Sequence, residues 1–86
     1  MSLKKQLNLL IKRVEILGLP EADLITASEY LKYNEYGLCF DTIITQMYEL
    51  EIAVNVECYI LIKEIANQMQ IEEQHYGFMK ELITQP

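Results

Sequence analysis

Three groups of residues in this chain are of types that do chemistry elsewhere. Glu72-Glu73-Gln74-His75 contains Glu-x-x-His, the i,i+3 pair used in di-metal carboxylate bundles. Such sites use the pair twice, with two further carboxylates, and His75 is the single histidine here. His75 therefore reads as an ordinary surface or half-buried imidazole. Cys39 or Cys58 would need His75 as a base, and a third group to orient it, before acting as a nucleophile. Both sit in helical patterns beside apolar neighbours (Leu38 and Phe40; Tyr59) and read as small buried hydrophobes. Glu49 and Glu51 match a glycosidase couple in type, yet two positions apart on a helix they point away from each other. The three glycines are isolated, so there is no phosphate-cradling loop. The expectation is a protein with no catalytic residue, no metal and no cofactor.

Residues 29–50 carry a different signal. They combine four tyrosines (Tyr30, Tyr33, Tyr36, Tyr48) with four acids (Glu29, Glu35, Asp41, Glu49) around an Asn-Glu-Tyr-Gly break, and Lys32 is the single base among them. Tyrosine offers large contact area at low entropic cost, and carboxylates attract basic partners. Such a segment is suited to holding something basic.

Charge is distributed unevenly within a net −6. Residues 1–13 hold four bases (Lys4, Lys5, Lys12, Arg13) and no acid, whereas residues 14–57 hold nine acids and one base. The acidic middle repels nucleic acid and anionic membrane and speeds encounter with a cationic protein. The basic cluster is too small for a nucleic-acid role and reads as a solvated helix face. No apolar run approaches the length of a membrane span, and MSLKK lacks the apolar core of a secretory signal. With two cysteines read as reduced thiols, the expected location is the cytosol.

The elements that must position these side chains read as helices. Eighty-six residues make one domain, and three Gly with two Pro leave room for few turns. Leu3, Leu7, Leu10, Val14 and Leu17 form a 3.6-residue stripe, with Ser2 as cap and Gly18 just past the end. Pro20 suits the first turn of a second helix, with Glu21 and Asp23 facing the helix dipole. Its inner face is Leu24, Ala27 or Ser28, and Leu31. Asp23, Thr26, Tyr30 and Tyr33 form another stripe, either core edge or binding surface. Asn34 to Gly37, with two residues tolerant of positive φ, breaks the pattern. A third helix covers about 36–51, with Tyr36, Phe40, Ile43, Met47 and Leu50 inside, and 52–54 is a connector. Asn55 caps a fourth over about 56–69, with Tyr59, Ile62, Ile65, Ala66 and Met69 inward. A last helix is expected over about 72–84, with Phe78 or Met79 and Leu82-Ile83 facing in and Gly77 weakening it. The fold class is all-α, a small antiparallel bundle of four to five short helices. In the four-helix version the second and third elements form one kinked helix.

Leu31-Lys32-Tyr33-Asn34-Glu35-Tyr36-Gly37-Leu38, then Asp41-Thr42-Ile43 and Gln46-Met47-Tyr48-Glu49, give the chain a family resemblance. It resembles the small helical immunity proteins of bacterial polymorphic-toxin systems, of the Maf type and its contact-dependent-inhibition relatives. Leu17-Gly18-Leu19-Pro20-Glu21 and Phe78-Met79-Lys80-Glu81-Leu82-Ile83 match the same pattern, so the likeness covers most of residues 14–83. Met47 stands where the pattern has leucine, a tolerated swap. The resemblance implies a stoichiometric inhibitor kept in the cytosol of the toxin-producing cell. Its partner would be a cognate toxin domain, basic and commonly a nuclease. It transfers no catalytic residues and does not name the toxin.

On that reading the expected contacts are Asp23, Glu29, Tyr30, Tyr33, Glu35, Asp41, Tyr48 and Glu49. The acids would steer association and the tyrosines would anchor it. The alternative is a helical interaction or regulatory module with no toxin, self-associating as a homodimer through surplus apolar surface. A small metal-dependent enzyme ranks last.

Overall fold

A computed structural model describes residues 2–84. Four α-helices, α1 (Leu3–Leu17), α2 (Glu21–Lys32), α3 (Tyr36–Glu49) and α4 (Val56–Gln68), are followed by two 3-10 turns over Glu73–His75 and Gly77–Leu82. The protein is an all-α bundle; the described residues contain no strand beyond one isolated bridge.

Caps set where the helices start. The Ser2 hydroxyl accepts from the Lys5 N–H at 3.2 Å, and Asn55 Oδ1 accepts from the Cys58 N–H at 2.7 Å. Pro20 holds the N-cap position of α2, one residue ahead of the first turn expected for it and with no side-chain hydrogen bond, and Glu21 and Asp23 occupy the first turn.

All four helices end with one device. A residue two or three past the helix returns its N–H to a carbonyl five positions back: Leu19 to Val14, Glu35 to Tyr30, Ile52 to Met47 and Ile71 to Ala66. This closure puts the intervening residue in left-handed backbone, here Gly18 (φ 114), Asn34 (φ 60), Glu51 (φ 51) and Gln70 (φ 57). Glycine carries no penalty there and asparagine little, whereas Glu51 and Gln70 hold strain on the order of 1 kcal/mol each. The break between α2 and α3 thus turns on Asn34, and Gly37 lies inside α3, so the two helices are distinct rather than one kinked rod. Gly18→Ala is expected to cost about 1–2 kcal/mol, because the added Cβ meets backbone strain rather than a neighbour. Urea denaturation of the two proteins measures it.

One hydrophobic cluster draws on every helix and on the 3-10 segment. Leu7, Leu10 and Val14 come from α1, Ala27 and Leu31 from α2, and Cys58, Tyr59, Leu61, Ile62, Ile65 and Ala66 from α4. Ala27, not Ser28, is the buried member of that pair in α2. α3 buries Cys39, Phe40, Ile43, Ile44 and Met47, a wider face than one stripe, because it packs against α1, α2 and the 3-10 segment. Tyr36 and Met69, expected inside, are only half-buried. Leu50, also expected inside, is 48% exposed: α3 stops at Glu49, and the Glu51 turn swings Leu50 outward.

The final segment is not the α-helix that its sequence suggests. In a 3-10 helix residues three apart eclipse one another. Tyr76, Met79 and Leu82 follow that period, and Tyr76 and Met79 are buried while Leu82 packs against the core edge. Of Phe78 and Met79, Met79 is the core residue. The chain then extends. The Val54 N–H donates to the Leu82 carbonyl at 2.8 Å and the Thr84 N–H to the Val54 carbonyl at 3.0 Å. This bridge straps the end of the chain to the α3–α4 connector and buries Val54 fully.

Candidate partner-binding surface

The eight residues expected as contacts separate into four places. Glu29, Tyr30, Tyr33 and Glu35 come together with Thr26 and Leu38 around a hollow of about 420 Å³ where α2 meets the start of α3. α2 presents Thr26, Glu29, Tyr30 and Tyr33 on one side because they recur at helical spacing. The Asn34 turn then carries the chain back so that Glu35 and Leu38 form the opposite wall. Tyr30 is half-buried and packs against the core, whereas Tyr33 is 70% exposed and Leu38 is also exposed. Neither Glu29 nor Glu35 belongs to either ion pair among the described residues, Arg13–Glu57 and Lys80–Glu73.

Two cations lie near the α2–α3 turn, though neither lines the hollow. Lys32 Nζ lies 5.8 Å from the centre of the Tyr33 ring. Lys4 Nζ reaches Asn34 Oδ1 at 3.4 Å, from 30 residues away, and the Tyr36 hydroxyl donates to the same oxygen at 3.2 Å. The fold thus brings one base of α1 to the acidic segment, which the charge count along the chain could not anticipate.

Tyr48 and Glu49 lie at the far end of α3, about 18 Å along the axis from Tyr36. There they join Glu51, Glu81 and Leu82 around a second hollow of about 350 Å³. The Tyr48 ring stands edge-on to Phe78, centroids 4.7 Å apart, which fixes it to the 3-10 segment. Glu51 and Glu81 were not among the expected contacts. Nothing in the sequence signals Glu81, because its place depends on the 3-10 geometry.

Asp41 lines a third hollow, of about 350 Å³, with Phe40, Ile44, Ile71, Glu72 and His75. Asp41, Glu72 and His75 are all exposed, and no hydrogen bond joins them. Among the described residues no three His, Cys, Asp or Glu side chains gather as metal ligands would. Asp23 is half-buried and engaged within the molecule: the Gln46 side-chain amide donates to its Oδ1 at 3.0 Å, tying α2 to α3.

The two thiols are fully buried, and burial pushes each up from 9.0 to about 11, with Arg13 partly offsetting the effect at Cys58. Thiolate, the nucleophilic form, is therefore scarce at neutral pH. Both cysteines are expected to stay silent to a thiol-reactive dye at pH 8 and to react once urea unfolds the chain. Above the ordinary value of 9.0 the unfolded thiols ionise while the folded ones, near 11, hold their protons. Their contribution to stability is thus intact below about pH 9 and lost as pH rises towards 11.

Searches against protein-family models, curated proteins and solved structures return no match to this chain. Among the described residues no helix is long and apolar enough to cross a membrane.

Proposed function

We propose that this chain is an immunity protein that neutralises a cognate toxin domain, a basic one such as a nuclease, by plugging it stoichiometrically in the cytosol. The observation that carries this reading is Tyr33, 70% exposed in a hollow walled by Glu29 and Glu35, neither of them in an ion pair among the described residues. A large ring with a shallow apolar floor beneath it supplies contact area, and the flanking carboxylates supply charge. Enzymes that grip phosphates are cationic, so such a face complements them. The acids accelerate encounter, Tyr33 and Leu38 desolvate on contact, and no bond is made or broken. Tyr48 and Glu49, with Glu51 and Glu81, offer a second acidic contact, while Asp23 acts inside the bundle. Preformed helices on both sides of the Asn34 turn keep the ordering cost of binding low.

The test is rescue. A toxin domain encoded beside this chain's gene is expressed with and without it, and growth is measured. Rescue by the native chain is the expected result; unrestored growth refutes the pairing. Reversing both charges, Glu29→Lys with Glu35→Lys, is expected to slow association about tenfold at low salt and to flatten its salt dependence. An unchanged rate and salt slope would rule out steering by these carboxylates.

A second reading, a self-associating helical module without a toxin, is favoured by Val56 and Ile60, four residues apart on α4 and each 50% exposed. Sedimentation of the isolated protein separates the two: a monomer at high concentration removes the self-association.

A further inference from the structure

A groove of about 420 Å³ runs between α1 and α2 and shares only Glu29 with the Tyr33 hollow. Its floor is aliphatic: Ile11 from α1, with Leu24 and Ile25 from α2. Ile11 and Leu24 rest on the core, while Ile25 stands 50% exposed. Glu15 on α1 and Glu21 and Glu29 on α2 supply the rim, with Lys32 at one end, and none of the four joins either ion pair among the described residues.

The spacing along this groove is that of a helix seat. Glu21, Ile25, Ser28 and Lys32 follow one another by four, three and four, a straight stripe along α2 about 16 Å long. Ile11 and Glu15, four apart, face it from α1. Two neighbouring helices joined by a tight turn leave a trough whose ridges accept a third helix, with anchors at i, i+3 or i+4, and i+7. The aliphatic floor calls for an apolar stripe on that helix. Three carboxylates against one lysine call for Lys or Arg beside the stripe, and turn away nucleic acid and acidic peptides. A second copy of this chain fits less well: its outward aliphatic pairs, Leu9 and Ile16 beside Lys5 and Lys12 on α1 and Val56 and Ile60 beside Lys63 on α4, supply two anchors each where the groove spans three, and Leu9 is half-buried.

We propose that the α1–α2 groove docks an amphipathic helix of a protein partner, aliphatic on one side and flanked by Lys or Arg. This rests on the reading above in taking the partner to be basic, and adds a helix of that partner at a second place.

The experiment needs no toxin, so its failure and a failure of rescue are separate results. The full ¹⁵N-labelled chain is titrated with a designed four-turn peptide carrying Leu at i, i+3 and i+7 and Lys beside them, and with a scramble of the same composition. Shift changes are expected at Ile11, Ile25, Ser28 and Lys32, with the scramble binding several-fold more weakly. Ile25→Ser, at an exposed position, is expected to weaken the striped peptide about tenfold. Glu15→Gln, an independent variant, should weaken it less and lower its salt dependence. The proposal fails if the scramble binds equally well, if the shifts fall elsewhere, if the peptide perturbs nothing, or if a folded Ile25→Ser chain binds it unchanged.

Discussion

Ile62→Ala is expected to cost this domain several kcal/mol of stability. Ile62 is fully buried in α4, among residues that join all four helices into one core. Truncating such a side chain typically costs 2–5 kcal/mol, the transfer of the lost atoms plus the cavity they leave. A chain of 86 residues has on the order of 4–13 kcal/mol to lose. Roughly half the stability should therefore go, with a fall in Tm of about 10 °C or more. The comparison that gives this meaning is Ile60→Ala, two residues away on the same helix. Ile60 is 50% exposed, and its loss should stay within about 0.5 kcal/mol. Urea titrations followed by far-ultraviolet circular dichroism give both values. Equal losses at the two positions would mean that α4 does not present the face described.

Tyr33→Ala should do the opposite: leave the fold intact and damage binding. At 70% exposure Tyr33 contributes little to the core, and its contact with Lys32, at 5.8 Å, is solvated. Its removal is expected to shift stability by no more than about 0.5 kcal/mol. If Tyr33 anchors the partner, desolvating its ring between Glu29 and Glu35, truncation should cost roughly 2–4 kcal/mol of binding. That is about 30- to 1,000-fold in Kd towards the toxin domain that the native chain neutralises. Most of it should lie in dissociation, because ring contacts hold a complex while charges speed its formation. Tyr33→Phe, which keeps the ring, should retain most of the affinity. Surface plasmon resonance resolves the two rates. An alanine variant that binds and rescues as well as the native chain would move the anchor away from the α2–α3 hollow.

The contrast between Ile62 and Tyr33 also shows which features the linear chain carries. Burial of Ile62 follows from a helical stripe that includes Tyr59, Ile65 and Ala66, and all four are core residues. Both ends of α1 and the start of α4 follow from Ser2, Gly18 and Asn55, whose side chains or lack of one act on the adjacent turn. These are local effects, within a few positions of their cause. The C-terminal segment is different. A 3.6-residue reading puts Phe78 with Met79 and Leu82 with Ile83, yet Tyr76 and Met79 are buried at a spacing of three. Both readings are open to the residues alone. The choice depends on the core that the segment must cover and on the Val54 backbone that Leu82 and Thr84 must reach. Likewise Leu50 continues the apolar period of α3, but an α-helix cannot continue through the left-handed Glu51 turn.

Helical content, the all-α class and most of the core were therefore determined by the order of residues, because capping and amphipathic periodicity act over one or two turns. Where the charges and rings meet was decided only by the tertiary structure. Asp23 is spent on Gln46, Glu81 arrives beside Glu49, Lys4 comes to the Asn34 turn, and the eight expected contacts divide among separate places. Surface charges far apart in the chain have no periodicity to announce them. Their meeting depends on how the helices pack, and packing is settled by the apolar faces on which those charges do not lie.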